Sequence, residues 1–89
     1  MRFVWDPKKE RINRRHHELG FEEATTVFGD PLARTIPDPD HSVGEERFLT
    51  VGQSSAGQLI VVSHLEEADT IRIISARRAT AHERRDYET

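Results

Sequence analysis

The spacing of apolar residues in the first third of the chain predicts a short strand followed by two helices. Residues 2–5, of which Phe3, Val4 and Trp5 are apolar, have the length and composition of a short strand. Asp6 suits the N-cap and Pro7 the first position of a helix that continues to about Leu19. A second helix is predicted over residues 21–28, where apolar residues recur at helical spacing. These residues are Phe21, Ala24, Val27 and Phe28.

The rest of the chain predicts mostly strands. Residues 32–45 are rich in proline and aspartate, which favours an exposed loop with one short strand around residues 33–36. Three stronger strands follow, because β-branched and apolar residues dominate three segments separated by short connections. These segments are residues 47–51, 58–65 and 70–75. Thr80 and Glu83 form a capping box that starts a final helix, which ends near Tyr87.

This order of elements predicts a small α+β domain that spans residues 1–89. We expect an antiparallel sheet of three to four strands, plus the short N-terminal strand. Two N-terminal helices and one C-terminal helix pack with the sheet. A chain of 89 residues can bury only a thin core, so each apolar residue matters.

The composition restricts the cellular location of the protein and the kinds of site that it can form. The chain has no cysteine, so neither a disulfide framework nor a thiolate metal site is available. No stretch reaches the roughly 20 apolar residues of a membrane helix, and the N-terminus lacks the apolar run of a signal peptide. A cytoplasmic location without membrane contact is the simplest expectation.

The net charge of −3 hides an uneven distribution of charged residues. Residues 8–17 and residues 71–85 each carry five basic residues and one acidic residue, whereas the remainder carries three basic and fourteen acidic residues. If the two basic segments meet in space, they form a positive surface that can hold phosphate groups. The alternative is that they are two solvated helix faces.

Arginines cluster in and after the last predicted strand. Period-two alternation predicts that Arg72 and Arg77 lie on opposite faces of this strand, with Ser75 on the face of Arg77. Arg72 is either a structural partner of a carboxylate such as Glu46 or a ligand contact. Arg77 is expected to face phosphate, because a guanidinium on rigid backbone recognises it well. Ser75 either donates to a phosphate oxygen or only fills a sheet position.

His17 is the best of five histidines for proton transfer near neutral pH. It shares a helix face with Lys9 and Asn13, and Arg14 lies beside that face. We therefore expect this face to meet solvent and a polyanion.

The other histidines have simpler interpretations. His16 lies nearer the apolar stripe of the first helix and is interpreted as a partly buried packing residue. His64 lies between apolar residues of a strand and is interpreted as a core histidine. His41 follows two aspartates in the central loop, which is weak evidence for a metal site, and we assign no metal ligand.

Glu46, beside Arg47 at the start of a strand, is either an ion-pair partner or a general base. The glycine motifs of nucleotide sites, the helical metalloprotease motif and the nucleophile elbow are absent from the sequence. Their absence argues against the common nucleotide-binding, metalloprotease and hydrolase interpretations.

Short motifs along nearly the whole chain resemble the BrnT family, the ribonuclease toxins of type II toxin–antitoxin pairs. The matching positions are Trp5-Asp6-Pro7, Asn13, His17, Phe21, Glu23-Ala24, Glu46-Arg47, Gly52, residues 72–77, Glu83-Arg84 and Tyr87. The chain departs from the family pattern at His16, where the family usually has lysine, and over residues 18–20.

The resemblance implies a RelE-like fold and RNA cleavage that needs neither metal nor cofactor. The catalytic residues would be His17, Glu46, Arg47, Arg72, Arg77 and Tyr87. The RNA-binding residues would be Lys9, Asn13, Arg14, Ser75, Arg78 and Arg84. Within this set, His17 or Glu46 would move protons and the arginines would hold the phosphate.

The resemblance also implies partners. An acidic antitoxin of the BrnA type would form a hetero-oligomer with the toxin, cover its basic surface and connect it indirectly to operator DNA. Two alternatives remain open at the level of sequence. One is a non-catalytic module that binds RNA or protein, and the other is a degenerate toxin that still binds its partner.

Overall fold

The computed structural model describes residues 1–40 and 44–89, and these contain three helices and five strands. His41, whose position after two aspartates was weak evidence for a metal site, lies outside the described residues. The helices are α1 (Pro7–His17), α2 (Phe21–Thr26) and α3 (Ala81–Glu88). The strands are β1 (Arg2–Val4), β2 (Arg34–Pro37), β3 (Phe48–Gln53), β4 (Leu59–Glu67) and β5 (Thr70–Arg78).

The five strands form one mixed sheet in the order β1-β5-β4-β3-β2. Strands β2 to β5 are antiparallel neighbours, whereas β1 joins the sheet at its edge, parallel to β5. The predicted α+β class is confirmed. The parallel pairing of β1 with β5 was not predicted. It is possible because a long connection, which begins with α1 and α2, separates the two strands in the sequence.

Several element boundaries differ from the predicted ones. Helix α1 ends at His17 because Glu18 adopts a left-handed conformation, with φ 57°, and its N–H donates to the Arg14 carbonyl. Helix α2 ends at Thr26 and continues as the 3-10 turn Val27–Gly29. Strand β5 runs three residues beyond the predicted end, because it keeps pairing with β4 as far as Arg78.

The hydrophobic core lies on one side of the sheet, which we call the helix face. Side chains of α2 and its flanks pack there against alternate residues of β4 and β5. The buried apolar cluster consists of Leu19, Phe21, Ala24, Val27, Ile60, Val62, Ile71, Ile73 and Ala76. The two predicted phenylalanine positions differ, since Phe21 is fully buried and Phe28 only half-buried.

His64 is buried within this core, which confirms its interpretation as a core histidine. Its Nε2 lies 2.7 Å from the Thr50 hydroxyl, which in turn lies 2.7 Å from the Thr35 hydroxyl. The rings of Phe28 and Phe48 lie 5.0 Å and 6.0 Å from the imidazole, and burial lowers the pKa of His64 to about 4. The side chain is therefore neutral near physiological pH.

A β-bulge changes the faces of β5. Ser63 pairs with Ser75 but His64 pairs with Ile73, so Ile74 has no partner on β4. The extra residue shifts the alternation, and Arg72 and Arg77 therefore lie on the same face, opposite the core. The prediction that these two arginines lie on opposite faces is wrong.

Asn13 attaches α1 to the edge of β5. Its amide nitrogen donates to the carbonyls of Leu19 and Ala76, at 3.0 and 2.9 Å, and its amide oxygen accepts from the Ala76 N–H at 3.0 Å. The side chain thus replaces a neighbouring strand at this point of the edge. Asn13 is the buried residue of α1, whereas Ile12 is 48% exposed.

Candidate functional site

The sheet surface opposite the core, which we call the open face, carries several of the predicted site residues. Strand pairing orders its residues in rows across the sheet. One row is Arg77, Val61, Val51 and Arg34, and the next is Ser75, Ser63, Leu49 and Ile36. A third row contains Arg72 and Leu65, and β3 alternation places Arg47, one residue before that strand, beside them. Three predicted phosphate-binding arginines thus share this face.

Arg72 is exposed on the open face and has no hydrogen bond or ion pair with any residue that the structure describes. The structural alternative, an ion pair with Glu46, is not formed. Glu46 is exposed, and Arg47 instead lies 3.7 Å from Glu45. A guanidinium without a protein partner keeps all five of its donors available for a ligand.

Arg77 is on the open face, but it also fixes the start of α3. Its two terminal nitrogens donate to the two carboxylate oxygens of Glu83, at 2.8 and 2.9 Å. Glu83 completes the predicted capping box with Thr80, and the bond from Arg77 is the main reason why the pKa of Glu83 falls to about 2. The same bond raises the pKa of Arg77. Arg77 remains 40% exposed, so it reaches solvent while holding α3.

Tyr87 attaches the other end of α3. Its hydroxyl donates to Asp30 Oδ2 at 2.5 Å, and this bond raises the pKa of Tyr87. Asp30 also accepts from the backbone N–H groups of Gln53 and Leu32, at 2.7 and 2.9 Å, and the Gln53 bond contributes most to lowering the pKa of Asp30. The Tyr87 hydroxyl is therefore occupied, and its position suits orientation of α3 better than proton transfer.

A groove between α1 and the edge of β5 collects the other predicted residues. It has a volume of about 280 Å³ and is lined by Lys9, Ile12, Asn13, His16, His17, Ile74 and Ser75. Ser75 also belongs to the open face, so the groove opens onto that face at the bulge. His17, Lys9 and Ser75 are thereby brought together.

His16 is exposed and lines the same groove, so its interpretation as a partly buried packing residue is wrong. The reason is that α1 turns Asn13, not the Ile12 side, toward the sheet. The rings of His16 and His17 have centroids 6.4 Å apart. Two imidazoles thus share the groove with Lys9.

Three of the predicted RNA contacts have other partners. Asn13 is 5% exposed, and its amide is bonded to backbone, so burial contradicts a direct contact with RNA. Arg14 lies 3.4 Å from Glu10. Arg78, on the helix face, donates to the Gln58 side chain and to the His17 carbonyl, at 2.8 and 3.0 Å. Arg84 is exposed on α3 and does not line the groove between α1 and β5.

A second groove, beneath α3, was missed by the sequence analysis. It has a volume of about 210 Å³ and is lined by Arg34, Ile36, Leu49, Val51, Val61, Glu83, Asp86 and Tyr87. Arg34 is exposed and has no hydrogen bond or ion pair within residues 1–40 and 44–89. A short strand is predicted around residues 33–36, but the sequence does not indicate that it pairs with β3, and this pairing brings Arg34 to the open face.

Among residues 1–40 and 44–89, no group of three or more histidine, cysteine, aspartate or glutamate side chains is arranged to hold a metal ion. No helix formed by these residues has the length and apolar character required to cross a membrane.

Fold and surface together define a small α+β protein with a basic sheet face and an imidazole-lined groove at the sheet edge. A family model described as the ribonuclease toxin BrnT of type II toxin–antitoxin systems matches residues 5–83. The chain therefore belongs to the BrnT family of ribonuclease toxins.

The 1.1 Å crystal structure of the Brucella abortus ribonuclease toxin BrnT is similar to this fold, with a TM-score of 0.70. The two sequences are 22% identical, and the match covers 90% of this chain and 97% of the Brucella chain. At this identity the likeness concerns the fold alone. A search of curated proteins finds no match.

Proposed function

We propose that this chain is an endoribonuclease that cleaves RNA without a metal ion and thereby inhibits translation and growth. The observation that carries the proposal is the bulge at Ile74. It brings Arg72 and Arg77 to the same face as Ser75, and Ser75 lines the groove of His17. Cationic donors for a phosphate thus adjoin a group that can move protons.

The proposed reaction is attack of a ribose 2′-hydroxyl on the adjacent phosphorus. A base takes the 2′-hydroxyl proton, the bond from the 2′-oxygen to phosphorus forms, and the bond from phosphorus to the 5′-oxygen breaks. The leaving 5′-oxygen receives a proton. Arg72 and Arg77 stabilise the charge on the non-bridging oxygens, because preorganised donors are most effective where charge develops.

His17 is the first choice for the base, because it lies in the groove that reaches Ser75. Glu46 stays the alternative, with Arg47 as a further phosphate contact. Lys9, Arg14, Ser75 and Arg84 are proposed to contact RNA outside the reacting phosphate. We assign Asn13 and Arg78 to positioning of α1, and Tyr87 to positioning of α3.

The test is incubation of single-stranded RNA with the purified protein in EDTA, followed by electrophoresis. Arg72→Gln is the informative variant, because Arg72 has no partner among the residues that the structure describes whose loss would disturb the fold. Loss of one phosphate-stabilising donor is expected to slow cleavage by about 10² to 10³. Arg11→Gln, which removes an equal charge from an exposed position of α1 outside the groove, should leave the rate nearly unchanged.

Cleavage abolished by EDTA would contradict metal independence, and equal cleavage by both variants would remove Arg72 from the site. His17→Gln and Glu46→Gln, assayed in the same way, distinguish the two candidate bases. If folded wild-type protein leaves RNA intact, with and without ribosomes, the proposal of an active nuclease is wrong.

A non-catalytic RNA-binding module is the second candidate, because Arg77 and Tyr87 are already bonded within the protein. It predicts RNA binding without cleavage products, and binding that survives His17→Gln. A degenerate toxin would instead bind its antitoxin and leave RNA intact.

An acidic antitoxin of the BrnA type is the proposed partner, and cytoplasmic RNA is the proposed substrate. An acidic protein complements the arginines of the open face. Co-expression of the two proteins is expected to give a stable complex that binds operator DNA in a gel-shift assay, whereas the toxin alone should not. The complex should also leave RNA intact.

A further inference from the structure

The groove beneath α3 has an apolar floor and two polar walls, and the proposed function gives it no role. Its floor is the apolar part of the open face: Ile36, Leu49, Val51 and Val61. Ile36 is 52% exposed, although it lies in a strand of a small protein with little apolar surface to spare. Leu49 and Val51 are partly exposed, and Val61 is buried. An apolar floor that is open to solvent at Ile36 indicates a ligand site.

One wall of the groove is acidic and aromatic. Helix α3 turns Glu83, Asp86 and Tyr87 toward the sheet, at the helical spacing of three and four residues. Both carboxylate oxygens of Glu83 are occupied by Arg77. Asp86 lies 3.4 Å from His82 through Oδ2, which leaves its Oδ1 as an acceptor.

The opposite wall is basic. Arg34, on β2, lines the groove and is unpaired within the described chain, so its donors are available. Arg77, on β5, lies in the same row of the sheet as Arg34, with Val51 of β3 and Val61 of β4 between them. The groove therefore adjoins the proposed phosphate site without being part of it.

These walls select the occupant. Glu83 is neutralised by Arg77, and the charges of Asp86 and Arg34 on the two walls balance each other above an apolar floor. An uncharged flat group with an apolar surface fits this arrangement, provided that one edge donates to Asp86 Oδ1 and another edge offers acceptors to Arg34. Guanine has both, because its Watson–Crick edge offers N1–H and N2–H donors and its other edge offers the O6 and N7 acceptors that arginine binds in pairs.

We propose that the groove beneath α3 binds an unpaired guanine base of the RNA substrate. The base lies on the apolar floor beside the Tyr87 ring, whose orientation is fixed by the bond to Asp30. Asp86 accepts from the Watson–Crick edge, and Arg34 donates to O6 and N7. The inference rests on the proposed nuclease function, since it assigns a base preference to that substrate.

The first test needs no cleavage. Methyl NMR spectra are recorded during titration with each of the four nucleoside 5′-monophosphates, which carry the same phosphate and differ in the base. GMP is expected to shift the methyl signals of Ile36, Leu49, Val51 and Val61. The methyl groups of Ile60 and Val62, on the helix face of the same strand β4, are the internal control.

Asp86→Asn is expected to weaken GMP binding by about tenfold or more, because the charged acceptor for the Watson–Crick edge is lost. Glu88→Gln is the matched control, since Glu88 is exposed on the same helix and does not line the groove. A change of less than about twofold is expected for this control. Groove methyl signals that do not move, or that respond equally to all four nucleotides, would overturn the proposal.

The second test separates this proposal from the proposed function. If the protein is a nuclease, cleavage sites on a mixed-sequence RNA should lie next to guanine, and Asp86→Asn should remove this preference. GMP binding without RNA cleavage would refute the nuclease and support the guanine site. RNA cleavage without base preference, together with unmoved groove signals, would refute only the guanine site.

Discussion

The two helices that flank the end of β5 are attached to it in opposite ways. Helix α1 is held by the buried amide of Asn13, which bonds backbone groups of β5 and of the turn after α1. Helix α3 buries no residue, and it is held by the contacts of Arg77 with Glu83 and of Tyr87 with Asp30. Buried groups have no water to replace a lost partner, whereas surface groups do. We therefore expect α1 to unfold only together with the sheet, and α3 to be the element of the protein that detaches from the sheet most easily.

The largest expected effect is that of Asn13→Leu, a change of similar size that removes every hydrogen bond of the side chain. The Ala76 N–H and the carbonyls of Ala76 and Leu19 lose their Asn13 partner. Each such buried group costs about 1 to 3 kcal/mol. The free energy of unfolding, measured with urea, should fall by about 3 kcal/mol or more.

Lys9→Leu is the control on the same helix. Lys9 is exposed, and an exposed position away from such contacts usually changes stability by less than about 0.5 kcal/mol. Equal, small effects of the two substitutions would contradict the distinction between a buried and a surface attachment.

The pH dependence of stability gives the second effect, because the two sides of the sheet lose stability in different pH ranges. Burial lowers the pKa of His64 from 6.5 to about 4, so the unfolded chain binds more protons than the native protein between these values. The contribution of the neutral His64 to stability is fully present above pH 6.5 and is lost as the pH drops toward 4. The loss between pH 7 and pH 5 should be about 2 kcal/mol.

His64→Gln keeps a donor and an acceptor near Thr50 but cannot be protonated in this range. The unfolding free energy of this variant, measured by urea titration, should differ little between pH 7 and pH 5. A slope as steep as that of the wild type would show that another group is responsible. The contribution of Glu83 is also lost as the pH falls, but in a lower range: bonding to Arg77 lowers its pKa from 4.5 to about 2, so this contribution is present above pH 4.5 and lost toward pH 2.

The sequence predicted the elements well because they depend on local signals. Asp6 and Pro7 start α1, Thr80 and Glu83 start α3, and runs of β-branched residues form the strands. The candidate site was less accessible to prediction, because it depends on pairing between distant residues. Period-two counting cannot reveal the unpaired Ile74, which reverses the face of every later residue in β5.

The roles of Asn13 and Arg34 were hidden for the same reason. A polar residue on a polar helix is expected to face solvent, and only the free edge of β5 makes the amide of Asn13 a buried partner. Arg34 lies in the short strand predicted around residues 33–36, and it joins the open face only because this strand pairs with β3. Both roles depend on strand pairing, because β1 pairs with β5 only as far as Arg72 and β2 is the edge strand beside β3.

The smallest effect on global stability is expected from Glu83→Gln, which removes the charge that Arg77 binds while keeping the size of the side chain. Arg77 is 40% exposed, and pairs of this kind contribute about 1 kcal/mol or less. Amide hydrogen exchange should accelerate along α3 and stay unchanged in β4 and β5. Glu88→Gln, near the end of the same helix, should change neither. If α3 remains as protected as the sheet in Glu83→Gln, the packing of the Tyr87 ring in the groove, and not the ion pair, holds the helix. The contrast with α1 would then lie only in the polarity of the attachment, not in its strength.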